Sequence, residues 1–239
     1  FVRPHVPFVA PKKYYEPFLP YSKMKLPPKI EGDWDDIPKP GINYCTSLNM
    51  KMDIRKQKKA VGGYYASVAF VDAQVGKVMA ALKASGQEDN TIVIFTSDHG
   101  FHLGEHDFWA KVSLLDESSQ VPLIISVPGK QPAVCHSLTE LLDLYPTLSK
   151  LCGLSIPDNI QGLDISAMLQ DPSHEVRNSI LCSGKGRLYR ERKWALLDYG
   201  KTAELYDMEN DPKQYNNLYN DPEYSDVAAD LKQKLNNRL

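Results

Sequence analysis

Two short runs of uncharged, largely β-branched residues constrain this chain more than anything else in it. Thr91-Ile92-Val93-Ile94-Phe95-Thr96 and Val121 to Val127 are too short for helices and too uniformly apolar for half-exposed edge strands. Each reads as a strand buried on both faces, and such strands need helices to cover them. Helical patterns supply that cover. From Gly63 to Ser85, Val68, Val71, Val75, Val78, Met79 and Leu82 recur on one face, and Gly86 ends the run. Leu141, Leu142, Leu144, Leu148 and Leu151 do the same between Thr139 and Leu151. Helix, strand, polar loop, strand, helix predicts an α/β sandwich with a largely parallel sheet.

The flanks read differently. Residues 1 to about 60 are rich in Pro, Lys and Tyr without periodicity, which predicts a functional loop or a wrap over the core. Beyond about Pro172, strands are expected at Ser179 to Ser183, at Tyr189 to Tyr199 and at Leu205-Tyr206-Asp207, with a charged helix from about Ser225. The expected division is 1–172 for the main α/β unit and 173–239 for a small antiparallel β subdomain. A net charge of -2 shows no basic stripe and gives no hint of nucleic acid. No apolar run approaches the ~18–20 residues of a membrane span. The opening Phe1-Val2-Arg3-Pro4-His5 has neither initiator Met nor signal pattern, so the chain is expected to begin mid-sequence. Cys45, Cys135, Cys152 and Cys182 form no C-x-x-C pair, and they read as buried free thiols at least as well as disulfides.

The chemistry lies in the polar loop between the two strands. Ser97-Asp98-His99-Gly100-Phe101-His102-Leu103-Gly104-Glu105-His106 and the following Asp107 to Lys111 leave the carboxyl end of the first strand. Open α/β sheets place ligands there. Metal-binding and proton-carrying side chains crowd the segment, and Gly100 and Gly104 imply a tight turn instead of a loose solvated loop. His102-Leu103-Gly104-Glu105-His106 spells the inverted zinc-peptidase motif H-x-x-E-H, but that chemistry needs both histidines on one helical face. A central glycine and a strand just upstream leave little room for such a helix. The competing reading takes Asp98 and His99 as the metal-facing pair and the rest of the loop as scaffolding.

These residues resemble the sulfatase family, and within it the iduronate-2-sulfatase-like branch. Ser97-Asp98-His99-Gly100, Gly104-Glu105-His106, Trp109-Ala110-Lys111 and Val121-Pro122-Leu123-Ile124 carry the likeness. Arg3 to Phe8, Tyr64 to Val68, Leu144-Tyr145-Pro146-Thr147-Leu148 and Glu204-Leu205-Tyr206-Asp207 extend it in order along nearly the whole chain. The resemblance implies the later part of an alkaline-phosphatase-like sheet and hydrolysis of sulfate esters on a sulfated sugar or polysaccharide such as a glycosaminoglycan. It implies Asp98 as a carboxylate for Ca²⁺, a hard cation that prefers oxygen, with His99 beside it touching the metal weakly or orienting the nucleophile. Lys111 is implied to bind the sulfate oxygens and His5 to protonate the leaving group. His102 and His106 are implied as loop-fixing or substrate-rim residues, with His102 taken as a substrate contact. Glu105 is expected to satisfy backbone donors in the turn. The implied location is periplasmic, secreted or lysosomal.

One departure outweighs these agreements. The family uses a cysteine oxidised to formylglycine within C-x-[PA]-[SG], and none of Cys45-Thr46-Ser47, Cys135-His136-Ser137, Cys152-Gly153-Leu154 and Cys182-Ser183-Gly184 has Pro or Ala at the third position. Asp35-Asp36 reads as surface charge in a Pro-rich loop. The expectation is therefore a carboxyl-terminal portion, inactive alone, whose partner is an amino-terminal half with the nucleophile and two metal carboxylates. Two alternatives stay open. One is a phosphoester or phosphonate hydrolase of the same superfamily; the other is a non-catalytic module that binds sulfated glycans.

Overall fold

The amino-terminal arm wraps along a long helix, α1 (Ile54–Ala84), in a computed structural model that describes residues 1–238. Three short 3-10 turns break the arm, at Lys12–Tyr14, Glu16–Phe18 and Tyr21–Lys23. Its aromatic rings point inward: Phe8 meets Tyr64 with ring centroids 5.6 Å apart, Tyr14 meets Phe70 at 5.3 Å and Phe18 meets Tyr65 at 5.7 Å. Gly62 makes room for this. A β-carbon there would lie 2.5 Å from Tyr21 Cδ1.

Helix α1 begins well before the Gly63 expected from periodicity. The Asp53 carboxylate caps it, accepting the Lys56 N–H at 2.8 Å, and the polar run that follows consists of good helix formers with no apolar stripe to betray them. Its buried face is Gln57, Val61, Gly62, Gly63, Ala66 and Ser67, packed under the arm. The valine face read from the sequence stays largely open, with Val78 56% exposed.

Next come β1 (Val93–Thr96), the two-residue ribbon β2 (His102–Leu103) and β3 (Trp109–Ala110), one helical turn α2 (Asp116–Ser119), and β4 (Leu123–Ser126). β1 and β4 pair antiparallel, Val93 opposite Ser126 and Thr96 opposite Leu123, so the parallel relation expected between these strands is corrected. A parallel return needs a crossover, usually a full helix, and the connection here holds only the single turn of α2. Nor is the pair buried on both faces: Phe95 is 44% and Ile124 60% exposed. The strands carry residues suited to cover, and none of the described residues covers Phe95 or Ile124 fully.

Helix α3 (Leu144–Leu151), entered through a 3-10 turn at Leu141–Asp143, inverts expectation in the same way. Its buried side holds Asp143, Thr147 and Ser149, while Leu141 and Leu142 face outward. The polar side is drawn in by specific bonds. Asp143 pairs with Arg177 and accepts the Leu163 N–H at 2.8 Å, and Thr147 Oγ1 accepts the Ile165 N–H at 3.0 Å.

The carboxyl-terminal part follows the reading, except that the run from Tyr189 to Tyr199, expected as one strand, is split in two by a turn at Arg192-Lys193. β5 (Ser179–Ser183), β6 (Arg187–Glu191), β7 (Trp194–Asp198) and β8 (Ala203–Asp207) form an antiparallel meander, followed by α4 (Ser225–Asn237). Period-two alternation gives the sheet two apolar faces. Leu188, Leu197 and Tyr206 pack on Phe108, Leu114 and Leu115 from the central loops, while Tyr189, Leu196 and Leu205 pack on Leu231 and Leu235 of α4. The first of these layers seats the functional loop on a rigid sheet.

Two smaller readings change. Asp36 is not surface charge: it accepts the Asn217 N–H at 2.9 Å and so ties the arm to the carboxyl-terminal segment, while Asp35 is exposed. The four cysteines are free, yet none is fully buried, Cys135 and Cys152 being exposed. No helix among the described residues is long and apolar enough to cross a membrane.

Candidate active site

Backbone geometry places Lys111. It follows β3 between Ala110 (φ 71°) and Val112 (φ 78°), both in the left-handed region that side chains with a β-carbon avoid. Bonds to the arm hold this shape: Asn43 Nδ2 donates to the Lys111 carbonyl at 3.2 Å, and the Trp109 N–H donates to the Cys45 carbonyl at 2.7 Å. The loop closes at its other end through Gly100, whose N–H donates to the Ser118 carbonyl at 2.8 Å. A β-carbon at Gly100 would sit 2.1 Å from the Glu117 carbonyl oxygen, so only glycine allows that approach.

Lys111 Nζ stands 2.9 Å from His99 Nε2 and 3.5 Å from His5 Nε2. The tautomers follow from what lies behind each ring. His99 Nδ1 is 2.8 Å from the Gly100 carbonyl and His5 Nδ1 is 2.7 Å from the Val6 carbonyl. A carbonyl only accepts, so each Nδ1 carries its proton and donates. Each Nε2 then presents a lone pair to the lysine. Two histidines, one of them 106 positions away, thus converge on one ammonium group.

Asp98 adjoins this cluster, Oδ2 lying 3.6 Å from His99 Nε2 with the side chain 85% exposed. Slight burial works to raise its pKa, but its own and the His99 backbone N–H, the neighbouring His99 ring and the Ser97 hydroxyl outweigh this and hold the carboxyl below its usual range. It is an ionised oxygen donor at a strand tip, which fits a hard cation. Among the described residues no three His, Cys, Asp or Glu side chains gather as a metal site. His99 fits less well. Its Nε2 is engaged by Lys111, and imidazole is a poor ligand for a hard cation.

The structure does not bring His102 into this cluster. Its ring is fully buried, edge-on to Phe108 with centroids 5.7 Å apart, and neither ring nitrogen has a hydrogen-bond partner. Burial, helped by the neighbouring His106, pushes its pKa down to about 3. His106 is buried too, but it is paired: Nδ1 lies 3.1 Å from Asp33 Oδ1 and Nε2 3.0 Å from the Lys213 carbonyl. Burial alone would lower its pKa, yet the Asp33 bond and charge, the Glu117 charge and the Lys213 carbonyl together raise it. His106 therefore fixes the loop, and His102 and His106 share no helical face, which removes the zinc-peptidase reading. Glu105 does what was expected, Oε2 accepting the Leu103 N–H at 2.7 Å. The Asp33–His106 tie was illegible in sequence, because nothing local links residues 73 apart.

Asp98, His99 and Lys111 line a groove of about 800 Å³, whose walls also include His136, Cys182 and Lys185. Cys182, remote in sequence, is thus near in space. Burial raises its pKa, so it is a thiol and no ready nucleophile.

The family described as Sulfatase matches residues 1–154, and N-sulphoglucosamine sulphohydrolase, C-terminal, matches residues 184–239. The chain belongs to the sulfatase family, whose members are sulfuric ester hydrolases. It is 32% identical to an arylsulfatase of Clostridium perfringens over 95% of this chain and 49% of that protein. It is 31% identical to human iduronate 2-sulfatase over 65% of this chain and 35% of that protein. Among solved structures, a phosphonate monoester hydrolase from Silicibacter pomeroyi superposes with a TM-score of 0.88 at 24% identity, covering 100% of this chain and 54% of that one, which shows the alkaline-phosphatase-like fold alone. The chain spans about half the length of the curated relatives it matches.

Proposed function

We propose that this chain supplies the sulfuryl-binding and leaving-group side of a sulfatase active site, acting on a sulfated sugar or polysaccharide. The observation that carries the reading is the convergence of His5 and His99 on Lys111. Lys111 is a point charge aimed where sulfuryl oxygens gain negative charge in the transition state. His5, anchored through Nδ1–H to the Val6 carbonyl, presents Nε2 beside the Lys111 ammonium. In its imidazolium form Nε2 also carries a proton; it hands that Nε2 proton to the departing sugar oxygen and returns to the neutral Nδ1–H ring. Similarity to iduronate 2-sulfatase supports a sugar ester as substrate.

Asp98, and more weakly His99, would hold Ca²⁺. When bound, that cation supplies positive charge beside the sulfuryl group. His99 would have to exchange its Lys111 bond to join the ligand set. The formylglycine nucleophile and the remaining carboxylates would come from an amino-terminal half, since the chain covers about half its relatives. The residue ranges 1–172 and 173–239 stand as our domain division. A substrate role for His102 would require its ring to leave the interior. The compartment, whether periplasmic, secreted or lysosomal, rests on the family resemblance alone.

The test compares kcat/KM of the complete enzyme on a sugar sulfate and on an activated aryl sulfate. Lys111→Ala should cost about 2–4 kcal/mol on both. His5→Ala should slow the sugar sulfate, whose alkoxide leaves poorly, and hardly touch the aryl sulfate. Equal losses would remove His5 from the acid role. Faster turnover of a phosphonate monoester than of either sulfate would replace the sulfatase reading.

A further inference from the structure

The net charge of -2 conceals a strong asymmetry. Residues 1–60 carry twelve Lys and Arg against six Asp and Glu, so the arm and the start of α1 are positive while the remainder is acidic. Lys23, Lys25, Lys51, Arg55, Lys56 and Lys59 are all exposed, and among the described residues none of them is in an ion pair. Contacts gather them. Lys58 Nζ donates to the Ser22 carbonyl at 2.8 Å, which sets Lys23 and Lys25 beside the first turns of α1, and Lys56 Nζ donates to the Lys51 carbonyl at 2.9 Å. The nearest carboxylate in sequence, Asp53, is already used to cap the helix. Cations in the first turns oppose the helix macrodipole and repel one another, so they cost α1 stability instead of adding to it.

The surface also connects to the candidate active site. His5 and Phe8 belong to the same arm, and Phe8 lies against Gly63 of α1, where a β-carbon would meet its Cβ at 3.4 Å. From Gly63 back to Lys56 the helix advances only ~10 Å at ~1.5 Å per residue. The exposed side chains are mostly lysines, compact donors that suit tetrahedral sulfate oxygens. Proteins that hold single-stranded nucleic acid need open aromatic faces, and here Phe8, Tyr14, Phe18 and Tyr21 are packed on α1.

We propose that this basic face of the arm and of early α1 is an exosite for an acidic polysaccharide, holding a sulfated chain while Lys111 engages the ester to be cleaved. The proposal rests on the sulfated-sugar reading above and narrows it to a polymeric substrate.

The test measures binding of a size-defined, heparin-type sulfated decasaccharide to the complete protein at two salt concentrations. The parent is compared with the variant Lys23→Gln/Arg55→Gln/Lys56→Gln/Lys59→Gln. Binding should weaken at least roughly tenfold, with a shallower salt dependence, because four cations no longer displace counterions. Helical content by circular dichroism should be unchanged, which separates lost binding from lost folding. Equal affinity of parent and variant, or equal binding of the desulfated saccharide, would overturn the exosite. Tighter binding of a charge-matched single-stranded DNA would overturn it in favour of nucleic acid. Turnover of a monosulfated monosaccharide tests the underlying reading separately and should be the same in parent and variant. Glycan binding through the patch without any sugar-sulfate turnover would sink the reaction and leave the exosite standing. Sugar-sulfate turnover together with undiminished decasaccharide binding by the variant would sink the exosite alone.

Discussion

Replacing His102 by Leu should stabilise the protein, and should do so more in acid. The imidazole is fully buried with both nitrogens unpartnered, and a buried unsatisfied polar atom typically costs about 1–3 kcal/mol. Leu fills a similar volume with no polar atom. Against that stands the edge contact with Phe108 at 5.7 Å, a kind of contact worth about 0.5–1.5 kcal/mol. At pH 8 the variant should therefore gain about 1 kcal/mol. The acid side adds a second term. A histidine whose folded pKa is depressed to about 3 contributes fully above its unfolded value and loses that contribution as pH falls toward 3. With an unfolded value near 6.5, proton uptake on unfolding removes about 2 kcal/mol from the parent by pH 5, and a leucine takes up none. His106 titrates in both proteins alike and cancels in the difference. The expected advantage is thus about 3 kcal/mol at pH 5, or roughly 6–12 °C in Tm for a chain of this size. Urea unfolding of dilute protein at pH 8, 6.5 and 5 measures it directly. A variant less stable than the parent at pH 8, with the parent's acid slope intact, would show that the imidazole nitrogens are satisfied and refute the reasoning.

Three further outcomes are expected. Gly100→Ala should cost more than about 2 kcal/mol, because its β-carbon meets the Glu117 carbonyl at 2.1 Å and backbone must move; a melt within 1 °C of the parent would contradict that contact. Arg177→Leu should cost about 3–5 kcal/mol, leaving Asp143 buried without its cation and Glu140 with Arg238 alone, and the loss should shrink in Arg177→Leu/Asp143→Asn as measured by a double-mutant cycle. The chain alone should self-associate in sedimentation runs, since Phe95, Ile124, Leu142 and Tyr145 leave apolar faces open; a monodisperse monomer with a cooperative melt would count against it.

Much of this molecule was legible before its structure. Short-range patterns sufficed for β5, β8 and α4, because alternation and turn residues act over a few positions, but the Arg192-Lys193 turn between β6 and β7 carries no Gly, Pro or Asn to mark it. The Asp98–Lys111 loop was legible for the same reason: its density of functional side chains sits in one contiguous segment. What local pattern could not specify was which apolar surface finds cover. The valines of α1 and the leucines before α3 mark faces that this chain leaves open, while a polar face around Asp143 is drawn inside by Arg177, a partner 34 residues away. Only the tertiary structure decided that His5 and His99 both turn Nε2 toward Lys111, that His106 is locked to Asp33, and that His102 is sealed in apolar surroundings. Each depends on contacts between segments far apart in the chain. Hydrogen-bond direction and burial arise only when those segments meet, so sequence could supply the chemical groups, and the fold alone assigned their protons, partners and exposure.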